Sequence, residues 1–293
     1  MILVTGATGF IGKKLVRTLV KKHKVLCIVR DKKKLSFKHK NLQIKEGNIT
    51  DKQFLEKITT KINCIIHLAA ITDAKSKELS KVNILGTKNL VEITKKNKIK
   101  KFIYISTENI QYNCKDAYTQ SKKQAENIVK TLKHYTILRE PIVYGSGDTK
   151  YIGKLVALIK KNKIIPIPGN GTYLVQPVYV DDLVHCIQKT VDKPIYGTYT
   201  IVGKQALTYE TIVNILIKEL QLKRTKIHIP LSLLKLASIL LPLIFVQPPL
   251  TYTQLCNLAI NRKHDIKTIS KTFNYTPLSF IEGIQKLKKT EHL

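Results

Sequence analysis

Short apolar runs alternate with longer amphipathic stretches over the first two hundred residues. The runs Ile2–Thr5, Val25–Arg30, Leu42–Glu46, Cys64–Ala69, Lys101–Ser106 and Thr136–Arg139 predict strands. Between them Phe10–Lys22, Asp51–Ile58, Leu79–Lys96 and Ala117–Leu132 carry helical periodicity. Strands that are apolar at almost every position, each followed by a helix, predict a parallel sheet covered on both faces. After Tyr144 the alternation fails. Gly145–Asp148 and Pro166–Gly171 are clusters of turn-forming residues. Val178–Val191 reads as strand then helix, Gly197–Val202 as one more strand, and Tyr209–Leu220 as a helix. The pattern predicts an α/β protein: a doubly wound parallel sheet with a smaller, mostly helical C-terminal lobe.

The first strand runs into Thr5-Gly6-Ala7-Thr8-Gly9-Phe10-Ile11-Gly12, a TGxxGxxG fingerprint that opens the first helix. Gly6 permits the tight turn, Gly9 lets the backbone approach a pyrophosphate, and Gly12 lets the helix pack close to the strand. Thr8, Phe10 and Ile11 complete the expected cradle. The helix N-terminus presents N–H groups and a positive dipole end to phosphates. Strand, fingerprint and helix in this order predict a Rossmann dinucleotide site. We place the Rossmann domain at residues 1–145, with 175–203 returning to it, and the substrate lobe at 146–174 and 204–293.

The end of the second strand selects the cofactor. An acidic residue there would bond a ribose 2′-OH, but the residue is Arg30, 18 positions after Gly12, followed by Asp31-Lys32-Lys33. An arginine there suits a 2′-phosphate, so NADP(H) is the preferred cofactor, with NAD(H) as the alternative.

Further along, blocks follow in a fixed order: GNITD at Gly47–Asp51, HLAA at His67–Ala70, VNILGTKNL at Val82–Leu90, YIST at Tyr104–Thr107, YTQSK at Tyr118–Lys122, LREPIVYGSGD at Leu138–Asp148 and QPVYVDDL at Gln176–Leu183. With the glycine fingerprint they make the chain resemble the extended or atypical short-chain dehydrogenases/reductases, the NAD-dependent epimerase/dehydratase group. The resemblance implies that Asn48 and Ile49 flank the adenine, that Ala69 and Ala70 line the dinucleotide groove, and that Asn83 steadies the central helix. It places Pro141 and Val143 beneath the nicotinamide, with Glu140 where a proline is common. His67 reads as a strand histidine, and no metal site is expected.

Tyr118 and Lys122 are four apart and share one face of a helix. A phenol has a pKa near ~10, and a nearby ammonium favours its phenolate. Tyr118 is therefore the expected acid/base at a substrate oxygen, with Lys122 also holding the nicotinamide ribose. Thr107, at the end of the fifth strand, would hydrogen-bond the reacting oxygen, with Ser106 as the lesser candidate. Only ten residues separate Thr107 from Tyr118, a spacing similar to that of atypical members such as the NADPH-binding accessory subunit of respiratory complex I. Dehydratases carry an acidic pair after the strand-end threonine; Glu108-Asn109 keeps one carboxylate, which disfavours sugar dehydration. The expected activity is oxidation or reduction of a secondary alcohol or ketone, on a nucleotide sugar or a small carbonyl compound. A non-catalytic NADPH-binding scaffold and a charge-driven binder of nucleic acid or membrane surface are the rival readings.

Composition bears on the second rival. The 293 residues carry 51 Lys plus Arg against 20 Asp plus Glu, a net charge of +31. Only five are arginines, the better residue for bidentate phosphate reading, and the lysines are scattered, so the charge does not specify a nucleic acid partner. The five cysteines are far apart and fit a reducing cytoplasm. Met1 leads straight into an apolar strand, so no signal peptide is expected. The partner expected is a small-molecule substrate; a homodimer and peripheral membrane contact stay open. Leu231–Val246 is apolar apart from Ser232, Lys235 and Ser238 and is broken by Pro242. It is too short to span a bilayer and is expected to pack into the lobe and close the substrate pocket, with the Lys235 amine at the surface.

Overall fold

The computed structural model describes residues 1–112, 114–240 and 260–291. In chain order it contains β1 (Ile2–Thr5), α1 (Phe10–Leu19), β2 (Val25–Val29), β3 (Leu42–Glu46), α2 (Lys52–Ile58), β4 (Cys64–His67), α3 (Gly86–Lys96), β5 (Lys101–Thr107), α4 (Ala117–Val129), β6 (Tyr135–Glu140) and β7 (Val143–Tyr144). There follow α5 (Ile152–Lys161), β8 (Ile164–Pro168), β9 (Leu174–Val175), β10 (Val178–Tyr179), α6 (Val180–Asp192), β11 (Gly197–Thr200), β12 (Leu207–Thr208), α7 (Tyr209–Glu219), β13 (Thr225–Ile229) and α8 (Leu231–Leu240). Two further helices span Lys267–Phe273 and Phe280–Glu291. Contacts divide the chain into two units, the first comprising residues 1–140, 180–201 and 269–275.

The first unit is built on a seven-stranded sheet in the order β11-β6-β5-β4-β1-β2-β3. Every pairing is parallel. The predicted doubly wound architecture is present, and its strands read as continuous apolar runs because β1, β2 and β4 are buried on both faces. β3 alternates half-buried and exposed residues, as an edge strand does. Leu3, Ile65, Leu90, Phe102 and Ile137 share the core of this unit. Sequence order turns back on itself between β1 and β4, the point where such sheets open a crevice at their carboxyl ends.

The predicted helix Leu79–Lys96 carries a π-helical turn, Lys81–Leu85, two residues after its start. An i→i+5 turn leaves no mark on the apolar spacing, so only the folded backbone reveals it. Burial pushes the thiols of Cys27 and Cys64 up to about 12, leaving them inert as nucleophiles.

The second unit combines α5, α7 and α8 with three two-stranded pairings, β7–β10, β9–β12 and β8–β13. β8 contains Pro166 and Pro168, which the turn-cluster reading placed in a loop. Proline is tolerated there because a two-stranded ribbon leaves half of each strand's N–H groups outside the ladder. The expectation for Leu231–Val246 needs correction. Leu233 and Leu236 of α8 are 56% and 54% exposed, while Ser238 is buried. A helix apolar nearly all round has no buried face that sequence can select. Leu241–Val246 and Cys256 lie outside the described residues. No described helix is long and apolar enough to cross a membrane.

Candidate active site

The crevice side of the first unit starts from the glycine loop. Gly6 has φ +73°, and a Cβ there would lie 2.6 Å from the backbone N of Ala69. A Cβ on Gly12 would fall 2.1 Å from the Gly6 carbonyl oxygen, so α1 crosses β1 at a distance only glycine allows. Gly9 differs: its Cβ would meet only the Gly6 oxygen, at 3.3 Å, and otherwise enters open space. The loop is therefore a cradle whose floor tolerates no side chain and whose mouth is clear. That geometry fits a dinucleotide pyrophosphate against the first turn of α1, where Thr8, Phe10 and Ile11 stand half-buried.

Arg30 is exposed just past β2. Asp31 is engaged locally: its Oδ1 accepts from Lys33 N at 2.9 Å and caps the 3₁₀ turn Lys32–Lys34. Asn48 is exposed, with Oδ1 accepting from Thr50 N, whereas the Ile49 side chain turns inward against Gly86. Ala69 and Ala70 are half-buried beyond β4.

A directed chain of hydrogen bonds ties this loop to the catalytic candidates. Ala69 N donates to Thr5 Oγ1 at 3.3 Å, and Thr5 Oγ1 meets His67 Nδ1 at 2.7 Å. His67 Nε2 meets Thr87 Oγ1 at 2.9 Å, and Thr87 donates to the Asn83 carbonyl at 2.6 Å. Because the Thr87 hydroxyl proton is already committed, His67 must donate from Nε2 and accept at Nδ1. Asn83 sits in the π-turn. Its Oδ1 accepts from Ile71 N at 2.8 Å, and its Nδ2 donates to Ser121 Oγ at 2.9 Å. Ser121 in turn donates to the Tyr118 carbonyl at 2.7 Å. The asparagine thus clamps the loop after β4 to the first turn of α4. Sequence reasoning named Asn83 but missed Thr5, Thr87 and Ser121, and gave His67 no role. The signal available was a set of polar residues at otherwise apolar positions.

His67 is fully buried, and burial with the Lys122 charge nearby pushes its pKa down to about 3. Its folded value lies below its unfolded one near ~6.5. The fold therefore keeps full stability above ~6.5 and loses it as pH falls towards 3. The expected loss is about 1.4 kcal/mol per pH unit in that window. His67→Gln should flatten this part of the stability–pH curve, as measured by denaturant titration from pH 7 to 4. An unchanged slope in the variant would remove His67 from the account.

Asp116 caps α4 by accepting from Thr119 N at 2.8 Å, which sets Tyr118 half-buried in the first turn. Lys122, one turn on, is 2% exposed. Its Nζ donates to the Ile105 carbonyl at 2.6 Å and lies 4.1 Å from the Tyr104 ring centroid. Desolvation pulls its pKa down to about 8 against the carboxylates of Glu140 and Glu126. Glu126 is itself held by Arg139 in a two-point ion pair of 2.9 and 2.7 Å. Glu140 and Glu126 were not expected at this site; the lysine's burial is what makes neighbouring carboxylates necessary. Thr107 is buried at the end of β5, accepting from Asn109 N at 3.3 Å, which leaves its hydroxyl proton to donate. Ser106 Oγ is buried without a hydrogen-bond partner among the described residues. Pro141 and Val143 belong to the second unit, where Val143 pairs with Val178. That unit also holds an open cavity of about 560 Å³ lined by Tyr173, His228 and Leu231 among others.

The family described as NAD dependent epimerase/dehydratase matches residues 2–201. A dTDP-D-glucose 4,6-dehydratase from Dictyostelium discoideum is 31% identical over 252 residues, 69% of this chain; the chain spans only 58% of that relative's length. An N-acetyl-glucosaminyl-diphospho-undecaprenol 4-epimerase from Escherichia coli O157:H7 is 26% identical over 79% of this chain and 76% of its own. Among solved structures, a UDP-glucuronic acid 4-epimerase from Bacillus cereus superposes with a TM-score of 0.79 at 24% identity, covering 98% of both chains. A UDP-glucose 4-epimerase from Thermotoga maritima gives 0.75 at 23%, covering 98% and 97%. The structural matches establish the shared fold.

Proposed function

The chain belongs to the NAD-dependent epimerase/dehydratase family, and from that premise we propose that it is an NADP(H)-preferring oxidoreductase that epimerises a secondary alcohol of a nucleotide sugar. The observation that carries the reading is the first turn of α4, where Asn83 and Ser121 tie the Tyr118 backbone to the loop after β4 and the buried Lys122 one turn on donates to the Ile105 carbonyl of β5, the strand that ends at Thr107. The Dictyostelium, Bacillus and Thermotoga relatives are named for nucleotide-sugar substrates, which supports the substrate class. Glu108-Asn109 provides one carboxylate where sugar dehydration calls for two, which favours epimerisation over dehydration. We assign dinucleotide binding to residues 1–145 with 175–203, and substrate recognition to the remainder.

A bound nicotinamide dinucleotide would accept and return a hydride. The Thr107 hydroxyl holds the reacting substrate oxygen. Tyr118 takes that oxygen's proton as the carbonyl forms and returns it on reduction. Lys122 keeps positive charge beside Tyr118 and is anchored by the Ile105 carbonyl. Asn83 and Ser121 hold the first turn of α4 by its backbone, fixing where Tyr118 starts. Incubation with UDP- and dTDP-hexoses, read by NMR, tests the reading: epimer formation without net cofactor consumption is expected. A dehydrated 4-keto-6-deoxy product would overturn the epimerase reading.

Arg30 supports the cofactor preference, because Asp31 is engaged as a cap. Calorimetric titration should show NADPH binding more tightly than NADH by at least about tenfold, the order of one charge-assisted bidentate contact. Arg30→Asp should erase or reverse that ratio. Equal affinities in the unaltered chain would refute the preference.

A further inference from the structure

We propose that the β8–β13 ribbon and α8 form a docking face for an anionic lipid bilayer. Residues paired in register lie on one side of a parallel ribbon. Ile164 pairs with Thr225, and Pro166 with Ile227, so these four share a side; Ile165 and Ile167 point to the other and are fully buried. The shared side faces solvent, with Ile164 54% and Ile227 47% exposed. The chain leaves β13 through Pro230 into α8, where Leu233 and Leu236 are 56% and 54% exposed. Four of the eight exposed large hydrophobic residues among the described residues therefore fall on this ribbon and the helix that follows it. Such concentration marks an interaction surface rather than scattered exposure.

Charge identifies the occupant. Lys160, Lys161 and Lys163 flank the start of β8, and Lys223 and Arg224 flank the start of β13. Arg224 donates to the Ile159 and Lys160 carbonyls, at 2.6 and 3.1 Å, so the two basic segments are held at one end of the ribbon. Residues 150–179 and 202–240 together contain eleven Lys and Arg but only two carboxylates, Glu210 and Glu219. Glu210 is paired with Lys226, and Glu219 accepts from Gln285. Exposed isoleucine on a ribbon whose starting end is lysine-rich, followed by exposed leucine on the helix that leaves its other end, is the composition that inserts at a lipid–water interface while binding anionic headgroups. Nucleic acid would use the cations and leave the apolar side chains in water. The inference is independent of the sugar substrate.

Co-sedimentation of the full chain with vesicles at physiological salt tests it. Vesicles of phosphatidylcholine with phosphatidylglycerol should bind the protein, and phosphatidylcholine alone should bind it far less. Replacing Lys160, Lys161 and Lys163 together by Gln should weaken binding by about a hundredfold, at roughly fivefold per charge near the surface. Leu233→Ser with Leu236→Ser should also release the protein; if that pair fails to fold by circular dichroism, Ile227→Ser serves in its place. No binding to anionic vesicles overturns the proposal. Binding that survives the apolar substitutions also overturns it, since charge alone then suffices. So does a concentration-dependent dimer by light scattering that the leucine substitutions dissolve without any vesicle binding, which would give the face to a second copy of the chain.

Discussion

Tyr118→Phe is expected to lower turnover by about 10³-fold while leaving dinucleotide affinity nearly unchanged, the order expected when a positioned general acid/base is removed. The structure explains why the variant should fold. Ser121 donates to the Tyr118 carbonyl, a backbone hydrogen bond that the substitution leaves in place. Asp116 still caps the helix. Lys122→Ala should behave differently. It empties a fully buried site, leaves the Ile105 carbonyl without its donor and removes the positive charge that Glu140 and Glu126 favour. Stability, dinucleotide binding and turnover should therefore all fall. Steady-state kinetics on the substrate found by NMR, with NADPH titration on both variants, separates the two outcomes. Tyr118→Phe turning over at the parental rate would rule out the acid/base assignment.

Gly12→Ala and Gly9→Ala are expected to separate folding from cofactor binding. At Gly12 the added methyl would sit 2.1 Å from the Gly6 oxygen and 2.9 Å from Ala7 Cα, both backbone atoms that cannot swing aside. α1 must move away from β1, at a cost of about 3 kcal/mol or more by the standard of overpacked cores. At Gly9 the methyl meets only the Gly6 oxygen, at 3.3 Å, so the apo fold should lose less than about 1 kcal/mol. That methyl nevertheless enters the mouth of the cradle, where the pyrophosphate would lie. Gly9→Ala should thus bind dinucleotide at least about a hundredfold more weakly with a near-parental melting curve, whereas Gly12→Ala should lose both. Thermal melts paired with NADPH titration read this directly. Parental affinity in Gly9→Ala would place the phosphates elsewhere.

The sequence by itself determined the sheet and the place of the cofactor. Strands buried on both faces must be apolar throughout, so β1, β2, β4 and β5 are written as runs that no helix interrupts. The glycine spacing is equally local: a positive φ at Gly6 and a backbone crossing at Gly12 leave no other residue that fits. Tyr118 and Lys122 were legible because four residues is one helical turn. The tertiary structure decided what depends on long-range contact. His67 acquired two partners, Thr5 and Thr87, that lie 62 and 20 residues away in sequence. Lys122 acquired its depressed pKa from burial, opposed by the charges of Glu140 and Glu126, a balance of desolvation and charge that no spacing encodes. The π-turn that carries Asn83 differs from an α-turn by one residue of hydrogen-bond register, which leaves the apolar pattern almost unchanged. The exposed face of α8 was chosen in the same way: a helix apolar on all sides presents no preference of its own, and only the elements packed around it decide which leucines meet water.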